Sequence, residues 1–226
     1  MRLALFDLDL TLIPFDSGMA WTRFLAAEGA LPADAESAYL ALCHRYVASE
    51  LDIREMHRIT VAPLAAFTRV QLDDWARRFE LAMAPRLPAD MQALVRRHRE
   101  AGDLCAIVTA TTRFIAEPFG RLFGIPHVLA TEPALDARGV PTGAIVGEPC
   151  HREHKLGHVD AWLARQGLAL SGFAESHFYS DAAGDLPLLS AVTHPVAVAP
   201  DAALQAHALQ RGWPIVGQRP ALEPPV

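Results

Sequence analysis

Two carboxylates, Asp7 and Asp9, stand two positions apart at the end of an apolar run over residues 2–8. If the extended backbone continued through them, both side chains would lie on one side of the strand. Two like charges this close are costly unless a cation lies between them, and a divalent metal with oxygen ligands is the natural partner. One carboxylate could then act as a nucleophile while the other handles protons. The alternative is a pair of exposed acids in a loop, and the preceding apolar run argues against it.

Two further polar residues stand at the end of an apolar run and at the start of a helical pattern. Thr109 ends a second apolar run, and a helix start at about Thr112 would offer free backbone amides to an anion. Lys155 opens a helical pattern, where its charge opposes the helix dipole unless an anion is near. Taken alone, Thr109 could be an ordinary helix cap and Lys155 a solvated surface lysine.

A second pair of acids, Asp181 and Asp185, follows a third apolar run, HFYSD. Carboxylates there could complete an oxygen-ligand metal site with Asp7. An N-cap acid would account for one of the pair but not obviously for both. The order of these residues along the chain, each at the end of a predicted strand, is the strongest signal in the sequence.

Alternation of short apolar runs with helical patterns predicts the elements that position these residues. Strands are expected over 2–8, 104–109, 177–181 and 194–198, and helices over 113–123, 156–166 and 201–211. Such alternation is typical of a doubly wound, Rossmann-like parallel α/β sheet. Ligands bind such sheets at the carboxyl ends of the strands, where Asp7, Thr109 and Asp181 fall.

One long segment breaks the alternation, because it carries only helical periodicity. The expected helices cover 19–30, 33–50, 52–67 and 71–84. We therefore predict a helical cap domain over residues 14–87 inserted into a core domain of residues 1–13 and 88–226. The alternative is that these helices cover one face of the sheet, but a right-handed crossover usually needs one helix. Residues 139–147 predict a small hairpin, and ALEPPV at residues 221–226 a loosely held tail.

Composition excludes several classes of protein. The 226 residues are 51% hydrophobic, and 20 Lys and Arg against 26 Asp and Glu give a net charge of −6. A disordered chain is excluded, and a chain this acidic has no global attraction for nucleic acid or an anionic membrane. Three scattered cysteines are too few for a disulfide framework, and no run reaches the roughly 18 apolar residues that a bilayer span needs. An acid already at Asp7 argues against a signal peptide. We therefore expect a cytoplasmic enzyme.

At this point the chain resembles the haloacid dehalogenase-like hydrolase superfamily. Its first motif, DxDxT, is matched by Asp7, Asp9 and Thr11, and the later motifs by Thr109, Lys155 and the acid pair that ends in Asp185. The helical insert looks like the C1-type cap of the phosphoserine-phosphatase-like branch. The segments VTATTRF, FGIPHVLAT, YSDAAGDLPLL and GWPIV look like a histidinol-phosphatase-like bacterial subgroup of that branch.

The resemblance implies a role for each motif. Asp7 would attack phosphorus and become an aspartyl phosphate, and Asp9 would protonate the leaving group and later activate water. Thr109 and Lys155 would hold the transferring phosphoryl group. Phosphoryl transfer depends mostly on positioning and charge neutralisation, which this set of residues can supply.

The resemblance also implies a Mg²⁺ site. Its ligands would be Asp7, the backbone carbonyl of Asp9, and Asp181, with Asp185 in support. Close relatives often read SDSxND in the fourth motif, where this chain has Ala182 and Gly184. Losing those polar groups would weaken the support around the metal ligands and slow the reaction without changing its class.

Substrate selection should come from the residues that close over the site, because the core motifs would bind only phosphate and metal. The expected set is Phe15, Asp16 and Ser17 after the first motif, Arg54 and His57 on one helix face of the cap, and Thr111 and Arg113 after the second motif. Asp16 would suit an amine, and Arg54 or Arg113 a carboxylate or a phosphate oxygen. In the plainer alternative Arg54 and His57 are solvated and Asp16 caps a helix. We expect a small amine-bearing phosphomonoester such as phosphoserine or histidinol phosphate.

Other interpretations stay open. A phosphotransferase would use the same intermediate, and a non-catalytic phosphometabolite-binding protein would share the fold. Cys150, His151, His154 and His158 could form a zinc site, although a polar loop before Lys155 explains them as well. Aromatic residues of the insert, including Trp21 and Tyr39, are expected to pack within the cap.

Overall fold

The apolar run at the start of the chain is the central strand of a parallel sheet. The computed structural model describes residues 1–217. Its strands, in chain order, are β1 (Arg2–Phe6), β2 (Leu104–Thr112), β3 (His127–Thr131), β4 (Pro133–Leu135), β5 (Pro141–Ile145), β6 (Glu175–Ser180), β7 (His194–Val198) and β8 (Ile215–Val216). Six of them form one sheet in the order β3-β2-β1-β6-β7-β8, and every pair in it is parallel.

The register places β1 between the two halves of the sheet. Leu3 is paired with Leu104 on one side and with Ser176 on the other. The chain therefore builds outward from β1 in one direction and then in the other, which makes the carboxyl end of β1 a topological switch point. Open α/β sheets bind ligands at such a point. The predicted doubly wound, Rossmann-like α/β fold is confirmed.

Helices cover both faces of this sheet. In chain order they are α1 (Ser17–Ala27), α2 (Ala35–Val47), α3 (Ile53–Val61), α4 (Arg69–Met83), α5 (Ala89–Glu100), α6 (Arg113–Phe123), α7 (His154–Ala164), α8 (Leu186–Ala191) and α9 (Ala202–Arg211). Local capping explains several of their starts, because the carboxylates of Asp16, Asp52 and Asp201 accept hydrogen bonds from the first turns of α1, α3 and α9.

The four helical segments expected in the insert are present as α1 to α4. Of these, α1, α3 and α4 are fixed to the sheet by one continuous apolar cluster that runs from Phe6 on β1 to Phe79 on α4. Phe79 packs edge-on against Phe119 of α6, with ring centroids 5.8 Å apart. The division into a core domain and a cap domain over residues 14–87 stays a prediction, and residues 14–87 are called the insert below.

A small hairpin also contacts the insert. The expected hairpin over 139–147 contains β5 but not its partner β4, which lies earlier in the chain. β5 packs closely on the end of α3, because a Cβ atom added to Gly143 would lie 2.9 Å from Cβ of Ala62. Gly143 also has a φ of +90°, a conformation that favours glycine. Glycine therefore lets the hairpin backbone approach the insert.

Two sequence expectations concern the chain as a whole. The segment ALEPPV, predicted as a tail, lies outside the described residues. Within residues 1–217, the structure contains no helix with the length and apolar character that crossing a membrane requires.

Candidate active site

A buried lysine joins two of the predicted site carboxylates. Lys155, in the first turn of α7, places Nζ 2.8 Å from Oδ1 of Asp7 and 2.7 Å from Oδ2 of Asp185. Asp7 follows β1 and Asp185 precedes α8, so three elements meet at one ammonium. All three residues are buried. The alternative of a solvated surface lysine is therefore wrong, since two carboxylates compensate the charge that opposes the helix dipole.

The charges in this cluster shift the pKa values of its members. Burial raises the pKa of Asp7, the charge of Asp185 adds to that effect, and Lys155 opposes it. Burial alone would lower the pKa of Lys155, but the charges of Asp185 and Asp7 and its hydrogen bonds to them raise it. Lys155 is therefore a permanent cation. An ammonium has three N–H groups, so one N–H beyond the bonds to Asp7 and Asp185 is available for an anion.

The parallel pairing of β6 with β1 brings Asp181, which follows β6, close to Asp7. β1 ends at Phe6, and Leu10 adopts a φ of 59° within the turn that follows. The hydroxyl of Thr11 lies 3.4 Å from Oδ2 of Asp7 and 3.4 Å from Oδ1 of Asp181. The two acids thus approach a common point, as predicted from their positions at the ends of neighbouring strands.

Asp9 lies in a different environment from Asp7. Its Oδ1 accepts a hydrogen bond of 2.8 Å from the backbone N–H of Ser17, and its Oδ2 one of 2.6 Å from the hydroxyl of Thr111. Burial and the charge of Asp16 raise the pKa of Asp9 to about 7, although these two hydrogen bonds oppose the shift. A carboxyl group with a pKa near neutrality is suited to both donating and accepting a proton.

Thr109 is buried on β2, the strand that pairs with β1, and its hydroxyl has a partner within its own strand. It accepts a hydrogen bond of 3.1 Å from the backbone N–H of Thr111. β2 continues to Thr112, and α6 begins at Arg113, close to the expected helix start. The predicted role of Thr109 in holding phosphate stays a prediction.

The donor set fits a hard divalent cation with few protein ligands. Asp7, Asp181 and Asp185 are buried carboxylates, and Asp7 and Asp185 share one ammonium. Among residues 1–217, no three His, Cys, Asp or Glu side chains are arranged as a ready-made metal site. Mg²⁺ in phosphate-transfer sites is usually held by one or two carboxylates together with water and substrate oxygens. Asp7 and Asp181, which flank the Thr11 hydroxyl, fit that pattern.

Asp185 binds a lysine and a serine side chain. Besides Lys155, its Oδ2 accepts a hydrogen bond of 2.6 Å from the hydroxyl of Ser180, which is fully buried. Ser180 was not singled out from the sequence, although it directly precedes Asp181 at the end of β6. The support for Asp185 thus comes from Lys155 and Ser180. Neither of them occupies the positions of Ala182 and Gly184.

A cavity of about 90 Å³ adjoins Asp9 between the insert and the core. Its polar lining includes Asp16, Tyr39, His57 and Thr111. Asp16 caps α1 through a hydrogen bond of 2.7 Å from Met19 N–H, and the hydroxyl of Tyr39 donates to the same oxygen at 3.1 Å. Asp16 therefore caps α1 and also lines the cavity, and its predicted role toward a substrate amine stays a prediction.

Tyr39 and Trp21 are cavity residues that the sequence did not reveal. Both were expected to pack within the insert, and Trp21 does so, with its ring centroid 5.1 Å from that of Phe79. Both also line the cavity. Helical spacing identifies an apolar face, but it does not show which members of that face border a cavity. Ser17 is fully buried beneath this site and binds Asp9 and Thr111.

Besides Ser17, three predicted substrate residues lie outside the lining of this cavity, which corrects the sequence analysis. Arg54 donates to Glu148 and to the carbonyl of Gly147, each at 2.9 Å, on the outer side of α3. Arg113 pairs with Glu132 and donates to the carbonyl of Val128. In both cases nearby acceptors hold the guanidinium away from the cavity.

Phe15 is the third of these residues. Its ring packs against Phe119, and the guanidinium of Arg86 lies 4.1 Å from the ring centroid. It is absent from the described lining of the cavity beside Asp9. The residues Phe15, Asp16 and Ser17 therefore separate, because the start of α1 directs only the second of them into the cavity.

The possible zinc cluster does not assemble. The Sγ of Cys150 is buried and donates toward the carbonyl of Leu129, while His151 pairs with Tyr46. Nε2 of His158 lies 2.9 Å from the carbonyl of Glu148. Because no metal-type grouping of three such side chains exists within residues 1–217, the alternative of a polar loop before Lys155 is correct.

Carboxylates and a lysine thus meet at the switch point of a parallel sheet. A family model described as haloacid dehalogenase-like hydrolase matches residues 4–190. The chain belongs to the haloacid dehalogenase-like hydrolase family, and it is a phosphatase of that family. The resemblance found from the motifs is confirmed.

Individual relatives agree with this assignment. A histidinol-phosphatase of Neisseria meningitidis serogroup C (strain 8013) is 37% identical over 217 residues, which cover 95% of this chain and 98% of that protein. A Bordetella pertussis Tohama I protein of unknown function is 44% identical in its crystal structure, with a TM-score of 0.90 and coverage of 95% and 97%. A substrate-bound phosphoserine phosphatase is 15% identical with a TM-score of 0.66 over 96% of this chain and 92% of its own, and that likeness shows the fold alone.

Proposed function

We propose that this phosphatase hydrolyses a small phosphomonoester through an aspartyl phosphate formed on Asp7, with Mg²⁺ as cofactor. One observation carries the proposal. The ammonium of Lys155 lies 2.8 Å from the Asp7 carboxylate and is held there by Asp185. That arrangement gives a buried carboxylate a fixed cation beside it, which is what a nucleophile needs when it attacks an anionic phosphoryl group.

The first half of the reaction uses Asp7 and Asp9. A carboxylate oxygen of Asp7 forms a bond to phosphorus while the bond from phosphorus to the ester oxygen breaks. The protonated carboxyl of Asp9 gives its proton to the departing alkoxide, so an alcohol leaves. The third N–H of Lys155 and the hydroxyl of Thr109 bind phosphoryl oxygens, as the family resemblance implies.

The second half reverses the proton transfer. The Asp9 carboxylate takes a proton from water, the water oxygen bonds to phosphorus, and the bond to Asp7 breaks to release inorganic phosphate. A pKa of about 7 for Asp9 supports both directions of transfer. Asp7, Asp181 and the backbone carbonyl of Asp9 would hold the Mg²⁺, which supplies charge neutralisation on the phosphoryl oxygens.

The cavity beside Asp9 favours an amine-bearing leaving group without a carboxylate. Its described lining contains the carboxylates of Asp9 and Asp16 but no Lys or Arg. A protonated amine is compensated by Asp16, whereas a substrate carboxylate would meet only like charge. Histidinol phosphate has such an amine and no carboxylate, while phosphoserine carries both. The relative from Neisseria bears the name of the corresponding phosphatase.

The experiment measures phosphate release from histidinol phosphate, phosphoserine and p-nitrophenyl phosphate, with Mg²⁺ and with a chelator. We expect Mg²⁺-dependent turnover that Asp7→Asn abolishes, because an amide cannot form the acyl phosphate. We also expect Asp16→Asn, which keeps the helix-capping oxygen, to lower kcat/KM for histidinol phosphate about 10- to 100-fold relative to p-nitrophenyl phosphate. Turnover by Asp7→Asn at the wild-type rate would contradict the mechanism. Transfer of phosphate to an added alcohol would instead favour a phosphotransferase.

A further inference from the structure

His57 is tied to the core by one ring nitrogen and has no partner for the other. Its Nδ1 lies 2.9 Å from the carbonyl oxygen of Gly143. A carbonyl oxygen only accepts, so Nδ1 carries the hydrogen. In the neutral ring that assignment leaves a lone pair on Nε2, and the backbone of β5 thereby fixes the tautomer.

The ring is neutral in this setting. His57 is 5% exposed, and burial lowers its pKa although the hydrogen bond with Gly143 opposes the shift. Nε2 is therefore a hydrogen-bond acceptor, and within residues 1–217 nothing donates to it. Leaving a buried acceptor without a donor is unfavourable, so its presence calls for a reason.

The unpaired acceptor belongs to a residue of the substrate cavity. His57 lines the same space as Asp9 and Asp16. Trp21, which also lines it and is 5% exposed, has an indole Nε1–H that likewise has no acceptor in the described part of the chain. The residues that line the cavity thus include one that bears an unpaired neutral acceptor and one that bears an unpaired neutral donor, in addition to its carboxylates.

The backbone geometry around Gly143 holds the His57 ring in place. The hairpin approaches the insert so closely that a Cβ on Gly143 would lie 2.9 Å from Cβ of Ala62. The hydrogen bond from Nδ1 therefore fixes the ring to a hairpin that packs closely on the insert. A rigidly held polar atom discriminates better between ligands than a mobile one, because a ligand cannot pull it into a new arrangement.

We propose that His57 is a specificity-determining residue whose Nε2 accepts a hydrogen bond from a neutral N–H of the leaving group, with Trp21 donating to an acceptor atom of the same group. The substrate class is then an amine-bearing phosphomonoester whose tail is a planar azole or amide. This inference rests on the proposed function, and it adds the requirement for a neutral N–H donor to the requirement for an amine.

Two substitutions separate recognition from structure. His57→Asn places an amide N–H near the position of Nδ1 and keeps a donor for Gly143, but it removes Nε2. His57→Gln places an amide oxygen near the position of Nε2 and loses the donor for Gly143. The substrates are histidinol phosphate and phenylalaninol phosphate, which share the amine and differ in the ring N–H. Arg58→Gln, on the exposed side of the same helix, is the matched control.

The readout is the ratio of kcat/KM for the two substrates. We expect wild type and Arg58→Gln to prefer histidinol phosphate at least about 10-fold, His57→Asn to bring the ratio close to one, and His57→Gln to keep most of it. An unchanged ratio in His57→Asn, or a wild type without preference, would overturn the inference while leaving the phosphatase intact. Equal losses on both substrates in both variants would show a purely structural role. Absence of turnover on these substrates and on p-nitrophenyl phosphate would mean that the proposed function itself fails.

Discussion

Lys155 and Asp185 form a buried ion pair, with Nζ 2.7 Å from Oδ2 and both side chains 5% exposed. The pair leaves Asp185 as a positioning residue for the lysine, since its second partner is the hydroxyl of Ser180. Asp181, in contrast, approaches Asp7 across Thr11. The two acids of the fourth motif therefore have different partners, from which we expect separable roles.

That separation can be tested by comparing Asp181→Asn with Asp185→Asn. Asp181→Asn should raise the Mg²⁺ concentration for half-maximal activity by at least about 10-fold, because it removes a charged oxygen ligand. Asp185→Asn should lower kcat about 10- to 100-fold and leave the Mg²⁺ requirement nearly unchanged, because it frees the ammonium to move. Activity is titrated against Mg²⁺ for each variant. The same shift in both would place Asp185 among the metal ligands.

Asp9→Asn should show a dependence on the leaving group. An amide cannot donate the proton that an alkoxide needs, so turnover of histidinol phosphate should fall about 10²- to 10⁴-fold. Nitrophenolate leaves without protonation, so its release in a first-turnover burst should be reduced much less. Rapid-mixing kinetics on both substrates measures the difference. Equal reductions would mean that Asp9 acts through the fold around Ser17 and Thr111 and not through its proton.

Arg54→Gln should leave substrate preference unchanged, although the sequence predicted Arg54 beside the substrate. Its guanidinium pairs with Glu148 at 2.9 Å, and the two side chains are 46% and 62% exposed. Exposed pairs of this kind contribute about 0–1 kcal/mol, so Tm should move by only a few degrees. A panel of phosphomonoesters gives the preference directly. A selective loss of activity on carboxylate-bearing substrates would show that Arg54 contacts the substrate.

Arg54 and His57 show that helical spacing alone does not predict which side chain is buried. Three positions apart on α3, they share a face to within about 60°, yet one side chain is buried and the other half-exposed. The difference arises because β5 packs beside His57, and no pattern within α3 encodes that neighbour. The same limit applies to Trp21, whose spacing predicts packing and not the cavity that it also borders.

The strand-end residues were predictable because chain order and sheet topology are linked. Apolar runs that alternate with helices predict parallel strands, and parallel strands gather their carboxyl ends at one edge. That edge brings Asp7, Asp181 and Lys155 together. Three strands escaped prediction. β4 has three residues and β8 has two, too few for any periodicity, whereas β3 was missed although it has the same length as the predicted strand β7.

Asp103 should make the fold sensitive to acid. Its carboxylate accepts a hydrogen bond of 2.8 Å from Arg2 and lies 2.7 Å from Nδ1 of His98, and its side chain is 3% exposed. Burial alone would raise the pKa of Asp103, but its hydrogen bonds with His98 and Arg2 and their charges lower it below 3.8. Because the pKa is lower in the folded state than in the unfolded state, the stabilisation is present above the unfolded value and disappears as the pH falls through the folded one.

Asp103→Asn should therefore reduce the free energy of unfolding by about 1–3 kcal/mol at pH 7, the range for a hydrogen-bonded charged group. The difference from wild type should shrink as the pH drops below about 4, because protonated Asp103 no longer gains from its partners. Urea unfolding monitored by tryptophan fluorescence at a series of pH values measures both quantities. Asp160→Asn, the same change at an exposed position of α7, should alter stability by less than about 0.5 kcal/mol. A loss in Asp103→Asn that stays constant down to the lowest pH would show that shape and not charge makes Asp103 stabilising.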